Sequence, residues 1–157
     1  MALFSWGRSD KKLSAQEIVS SLPGSWSGPG KIYTPAGIQN YRAELTLVTV
    51  GAIHESPAFS GKMISFFSSG SNLETPIDLK LEKEMWSLSY VQTNVHGTGQ
   101  LTAGKLEFLQ KDPAGKSSGR TLEIWNFLSP DHLFIENFVL DPKGEREPFL
   151  KIMLQKT

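Results

Sequence analysis

Two stretches of the sequence combine a glutamate with large aromatic residues at every second position, between 121 and 128 and between 132 and 140. Because successive side chains of a strand point to opposite faces, each glutamate shares a face with those aromatics. A mostly apolar surface with a few polar groups is typical of a cavity that binds a small molecule. Alternation alone does not say which face points inward, so the carboxylates could equally face solvent. The candidate ligand-binding residues are Glu44, Trp86, Tyr90, Glu123, Trp125, Phe134, Glu136 and Phe138.

The same carboxylates allow a second kind of chemistry. Burial in an apolar cavity would raise the pKa of a carboxyl group and suit it to acid or base catalysis near neutral pH. Glu44, Glu123 and Glu136 are the candidates for that role. The sequence assigns the catalytic role to none of them.

The three histidines do not form a recognisable metal motif. His54, His96 and His132 are widely separated and show no i, i+4 or His-x-His spacing. Zinc sites need three or four converging ligands, and the chain contains no cysteine to supply them. We therefore expect no metal site.

Composition narrows the class of protein. The 157 residues suit one domain, and 16 basic residues balance 16 acidic ones, which gives little support to nucleic-acid binding. The absence of cysteine excludes disulfides. The first residues lack a signal-peptide core, and no run approaches the roughly 20 apolar residues of a membrane span. We expect a cytoplasmic protein that does not cross a membrane.

One short helix is predicted near the N-terminus. Ser14 and Glu17 form a capping-box pattern, and Pro23 ends the helix, which we place at 13–22. Two turns are not stable alone, so this helix must pack on the rest of the chain. Residues 1–12 are predicted to be a flexible tail, and 13–157 a single domain.

From Gly24 onward the apolar pattern has the period of two that is typical of strands. Turn signals recur every 8–15 residues, including the glycines at 51, 70, 97, 99 and 104. Antiparallel strands joined by short turns favour an up-and-down β-barrel of eight to ten strands, and a two-sheet sandwich is the alternative. The clearest strand runs are 41–48, 62–67, 77–81, 85–91, 105–109, 121–128, 132–140 and 149–154.

The motif Leu22-x-Gly24-x-Trp26-x-Gly28 and the later run Asp141-Pro142-Lys143-Gly144 resemble lipocalin-like (calycin) domains. The most similar are uncharacterised bacterial lipocalin-like domains and, more distantly, nitrobindin. The resemblance implies a barrel in which Gly24 and Trp26 have structural roles. It also implies that Trp26 packs under a cation, supplied here by Lys151 or Lys156 and less readily by Arg146.

Nitrobindins hold haem through a histidine near the C-terminus. The final strand of this chain, 149–154, contains no histidine. We therefore expect no tight haem binding and no other cofactor.

Three functions fit these observations. The barrel could bind a small, mostly apolar or amphipathic molecule, as lipocalin-like domains do. It could be a small enzyme of cyclase or isomerase type that uses a carboxylate in the same cavity. It could instead be an interaction module that docks through its tail and helix, and a homodimer is compatible with any of the three.

Overall fold

The structure is a computed structural model that describes residues 12–51, 56–93, 95–111 and 120–157. His54 and residues 1–11 of the predicted tail lie outside this part of the chain. Helix α1 spans Ala15–Ser21, shorter at both ends than predicted. The strands are β1 Gly24–Thr34, β2 Gly37–Val50, β3 Ala58–Phe67, β4 Asn72–Glu82, β5 Met85–Tyr90, β6 Val95–Gly99, β7 Leu101–Thr102, β8 Lys105–Lys111, β9 Thr121–Ser129, β10 His132–Leu140 and β11 Arg146–Lys156.

The strands form a closed antiparallel barrel. Consecutive strands pair from β1 through β6 and from β7 through β11. The ring is completed by pairing of β11 with β1 and of β6 with β8. The two-residue strand β7 adds only to the start of β8, so ten strands form the ring. Closure leaves no long strand edge exposed. The predicted up-and-down barrel with one N-terminal helix is confirmed.

Strand β6 occupies a stretch that the sequence predicted to be a turn. Gly97 and Gly99 lie within a strand that pairs with β5 and β8. A Cβ at Gly99 would lie 1.8 Å from the carbonyl oxygen of Glu107, and one at Gly97 would lie 2.7 Å from Cγ of Gln110. The prediction of a turn here was wrong: these positions are glycine because β8 lies too close to leave room for a side chain.

Helix α1 closes one end of the barrel, here called the closed end. The Ser14–Glu17 capping box is present, and Ile18 and Leu22 are fully buried in the core. The indole nitrogen of Trp26 donates to the carbonyl oxygen of Leu22 at 3.1 Å. Trp26 thus ties the barrel wall directly to the end of the helix.

Lys156 reinforces this closure. Its ammonium lies 5.2 Å from the centre of the Trp26 ring and donates to the carbonyl oxygen of Ser21, at the C-terminal end of α1. The cation expected above Trp26 is therefore Lys156. A cation near the exposed carbonyls of a helix end is also favoured by the helix dipole.

The barrel interior differs between its two ends. Toward the closed end most inward side chains are fully buried, as with Leu47, Phe59 and Leu106, while Leu81 and Leu101 are partly buried. Toward the other end, here called the open end, Ile32 and Leu150 still face inward but are only partly buried against the core. The side chains at the rim of the open end are therefore less enclosed than most of those beside the helix.

Candidate ligand-binding site

A buried carboxylate lies in the open half of the barrel. Glu123 of β9 is 0% exposed. The Tyr90 hydroxyl lies 2.8 and 2.6 Å from its two oxygens, and the Trp125 indole nitrogen donates to Oε2 at 2.6 Å. The amide nitrogen of Gln110 lies 3.4 Å from Oε1, and that of Asn137, in its hydrogen-bonding orientation, lies 3.2 Å from it. These five residues are the Glu123 cluster.

The sheet register brings the cluster together. Glu123 and Trp125 are two residues apart on β9, so both point inward, and Asn137 of β10 lies directly opposite Glu123. Tyr90 is the last residue of β5, which lies three strands from β9 around the ring, and its hydroxyl reaches the carboxylate across the interior. Gln110 on β8 is held by the hydroxyl of Thr121, which donates to its side-chain oxygen at 2.9 Å.

Burial dominates the electrostatics of the cluster. It raises the pKa of Glu123, although hydrogen bonds from Trp125, Tyr90, Asn137 and Gln110 act in the opposite direction. Burial and the nearby Glu123 charge raise the pKa of Tyr90 well above its usual range, so Tyr90 stays a neutral hydrogen-bond donor. Among the buried residues of the described ranges, Glu123 is the only charged one.

Beside the cluster lies a hydroxyl group with no partner. Tyr41 is 7% exposed, and its hydroxyl makes no hydrogen bond with any residue that the structure describes. Burial raises its pKa, and the charge of Glu123 adds to the effect. Its ring lies over Gly30, where a Cβ would come within 2.5 Å of it, and packs 5.6 Å from the ring of Phe67. An unpaired buried hydroxyl costs about 1–3 kcal/mol.

Four of the eight predicted ligand-binding residues point into the barrel. Tyr90, Glu123 and Trp125 belong to the cluster. Trp86 is buried nearer the closed end. It contributes to a separate pocket of about 310 Å³ that opens between the start of α1 and β4, β5 and β7, and whose other lining residues are Ala15, Leu81, Lys83, Glu84, Gln100 and Leu101.

The other four predicted residues lie on the outer surface. Glu44 has a 45% exposed side chain 3.9 Å from Arg42. On β10 the inward residues are Leu133, Ile135 and Asn137, so the intervening Phe134, Glu136 and Phe138 point outward. The expected interior position was therefore wrong for Phe134 and Phe138, and of the three alternative carboxylates only Glu123 lies inside. Alternation defines two faces without saying which one is enclosed.

Outer-face contacts account for these residues without an interior role. Glu136 lies 3.7 Å from Lys151, and the Arg146 guanidinium lies 5.5 Å above the ring of Phe138. Phe134 borders an outer groove of about 480 Å³ formed by β1, β2, β10 and β11, and Tyr41 is among its other lining residues.

Sequence reasoning missed Tyr41, Gln110 and Asn137. Alternation along β2 could have predicted that Tyr41 points inward, because it lies an even number of residues from the inward-facing Ala43 and Leu45. Gln110 directly follows the predicted strand 105–109, and a polar residue at that position is not predicted from the sequence to be buried. Asn137 was overlooked because the aromatic face of β10 was taken as the inner one.

The described histidines pair locally on the barrel wall. Nδ1 of His96 lies 2.8 Å from the Ser89 hydroxyl, and Nδ1 of His132 lies 2.9 Å from that of Ser129. Within the described ranges no three histidine, aspartate or glutamate residues converge as a metal site would require. Nor does any helix there have the length and apolar character needed to cross a membrane.

Comparison with known proteins adds information on the fold. The sequence matches no protein-family model and no curated protein sequence. Among solved structures it is similar to the S-type phycobiliprotein lyase CPES from Guillardia theta, with a TM-score of 0.66 and 12% identity over 97% of each chain. It is also similar to Rv2717c from M. tuberculosis, with a TM-score of 0.56 and 15% identity over 94% of this chain and 99% of that one.

These likenesses define the class of fold. The protein is a closed ten-stranded antiparallel β-barrel, consistent with a lipocalin-like architecture. Membership in a particular lipocalin-like family remains a prediction from the sequence motifs.

Proposed function

We propose that this barrel binds a small, mostly apolar molecule through its open end, and that the Glu123 cluster orients the polar part of that molecule. The observation that carries the proposal is the fully buried carboxylate of Glu123, which has no buried cation among the described residues and lies beside the Tyr41 hydroxyl, which has no hydrogen-bond partner among them.

Both features cost stability. Burying a carboxyl group is expensive even when neutral donors surround it, and apolar residues of similar volume would often serve a core better. Polar groups that are buried at such a cost in stability are typical of binding sites, where hydrogen bonds with a ligand offset the cost. The partly buried Ile32, Phe67 and Leu150 would supply the apolar contacts above the cluster.

The structural likeness to a phycobiliprotein lyase gives weaker support. It shows that a barrel of this architecture is found in a protein named for a chemical activity. At 12% identity the comparison supports only the general idea of a functional interior, since fold alone does not determine function.

The first test is a search for bound molecules. Native mass spectrometry of the purified protein would reveal a co-purified ligand. Titration with octanol, octanoate and octylamine, which do not absorb near-ultraviolet light, would be followed by tryptophan fluorescence, because Trp125 contacts the cluster directly. Saturable quenching by at least one probe is expected. Failure of all three to bind, with no co-purified ligand, would contradict the proposal.

A matched pair of variants locates the site. Phe67 faces the interior and Phe134 the outer groove, and both side chains are partly buried. Phe67→Ala is expected to weaken binding of the probe several-fold, while Phe134→Ala leaves it unchanged. The reverse result would place the ligand in the outer groove.

A second candidate function is catalysis of cyclase or isomerase type, favoured by the raised pKa of Glu123. Since Glu123 is fully buried and Tyr90 only partly so, Glu123 would act as a base through Tyr90: the Tyr90 hydroxyl would take a proton from the substrate and give its own proton to the carboxylate. Small molecules recovered from the wild-type protein and from Glu123→Gln would be compared by mass spectrometry. A compound chemically altered only in the wild-type sample indicates catalysis, and the same compound in both indicates binding alone.

A further inference from the structure

We infer that the ligand is neutral and carries a hydrogen-bond acceptor, such as a ketone or amide carbonyl oxygen, that accepts from Tyr41, and that the barrel discriminates against carboxylates. This inference rests on the proposed function and adds the chemical class of the ligand.

The protein itself satisfies the carboxylate of Glu123. Oε1 accepts from Gln110 and Asn137, Oε2 accepts from Trp125, and the single hydroxyl proton of Tyr90 is shared between the two oxygens. A carboxylate has about four acceptor sites, so these donors nearly fill it. The ligand is therefore not required to donate to Glu123.

The hydroxyl of Tyr41 is the group left without a partner. The Tyr90 proton is committed to Glu123, whereas the Tyr41 proton has no acceptor among the described residues. Burial, with a smaller contribution from the charge of Glu123, raises the pKa of Tyr41, so this hydroxyl remains a donor at neutral pH. The complementary group on a ligand is a hydrogen-bond acceptor.

The charge of the ligand's acceptor group decides which kind of acceptor binds best beside Tyr41. A carboxylate brought to Tyr41 would lie near Glu123, whose ionised form would repel it strongly in a low-dielectric interior. Among the described residues no lysine or arginine is buried with Glu123. Lys151, which lines the outer groove together with Tyr41, is paired with Glu136, and Lys156 is held at the closed end. A neutral carbonyl makes the same hydrogen bond without the repulsion.

Three probes of similar shape test this inference on the full chain at neutral pH. Acetylnaphthalene carries a neutral carbonyl, ethylnaphthalene has no acceptor, and naphthoate carries a charged one. In isothermal titration calorimetry the ketone is expected to bind roughly three- to tenfold more tightly than the hydrocarbon, the scale of one neutral hydrogen bond. It is expected to bind at least about tenfold more tightly than naphthoate.

Variants assign the effect to its residues. Tyr41→Phe should reduce the affinity of the ketone to that of ethylnaphthalene. Glu123→Gln should increase the affinity of naphthoate relative to the other probes. Tyr33→Phe is the control, because Tyr33 lies on the outer wall beside Lys151 and should leave the order of affinities unchanged. Circular dichroism would verify that each variant is folded.

The outcomes separate the inference from the proposed function. If naphthoate binds as tightly as the ketone, or if Tyr41→Phe keeps the preference for the ketone, the inference is overturned while the binding function stands. If none of the three probes binds, the proposed function fails as well.

Discussion

At the scale of single residues, Glu123 makes a prediction about pH. Its pKa in the folded protein is raised above the ordinary value of 4.5, mainly by burial. Between that value and the raised pKa, the folded state holds a proton that the unfolded state has released. The contribution of Glu123 to stability is therefore largest below about pH 4.5 and falls as the pH rises through the folded pKa.

The measurement compares wild type with Glu123→Gln in urea unfolding across this pH range. The unfolding free energy of wild type minus that of the variant should fall by up to about 1.4 kcal/mol per pH unit within the window. A difference that rises with pH would show that the hydrogen bonds outweigh burial and lower the pKa.

Tyr41 and Tyr90 should respond oppositely to substitution by phenylalanine. Tyr41→Phe removes a hydroxyl that has no partner among the described residues and should stabilise the ligand-free protein by about 1 kcal/mol. Tyr90→Phe removes a donor to a buried carboxylate and should destabilise it by roughly 1.5–3 kcal/mol. Urea unfolding at neutral pH measures both. Equal effects would mean that the Tyr41 hydroxyl has a partner.

At the scale of elements, the contact between helix and barrel depends on Trp26. Its side chain is 1% exposed and bonded to the carbonyl oxygen of Leu22. Trp26→Ala should lower the unfolding free energy by roughly 3–5 kcal/mol, the range for deleting a large buried aromatic. A loss below about 1 kcal/mol would rule out a structural role for this residue.

The ammonium of Lys156 can be tested separately from its aliphatic stem. Lys156→Met keeps most of the stem but removes the charge above Trp26 and the bond to Ser21. We expect a loss of about 1–2 kcal/mol. The control is Lys151→Met, which removes an outer-face cation 3.7 Å from Glu136 and should cost at most about 1 kcal/mol. Equal losses would argue against a special role for Lys156.

Local sequence signals predicted most elements but not all of them. Ser14 and Glu17 defined the helix start because a capping box acts through neighbouring residues. Gly97 and Gly99 were taken for a turn, because a glycine required by close packing within a sheet looks the same in sequence as one required by a turn. Strand β6, which closes the barrel, was missed for that reason.

At the scale of the whole molecule, the barrel was predictable while half of the candidate site was not. Alternation along β9 grouped Glu123 with Trp125, and both point inward. The same reasoning on β10 grouped Phe134, Glu136 and Phe138, which point outward. Only closure of the ring decides which face of each strand is enclosed. The partners Gln110 and Asn137 come from strands that meet Glu123 through the register of the sheet, which short-range patterns do not contain.

Binding in the open half of the barrel is the central claim, and three tryptophans report on it from different places. Trp125 contacts Glu123, Trp26 is bonded to Leu22 at the closed end, and Trp86 lines the separate pocket beside α1. Their indole N–H signals can be followed by nuclear magnetic resonance during titration with acetylnaphthalene. We predict a saturable shift of the Trp125 signal while that of Trp26 stays in place. A shift confined to Trp86 would move the site to the closed-end pocket, and a shift of none of the three would contradict binding within the barrel.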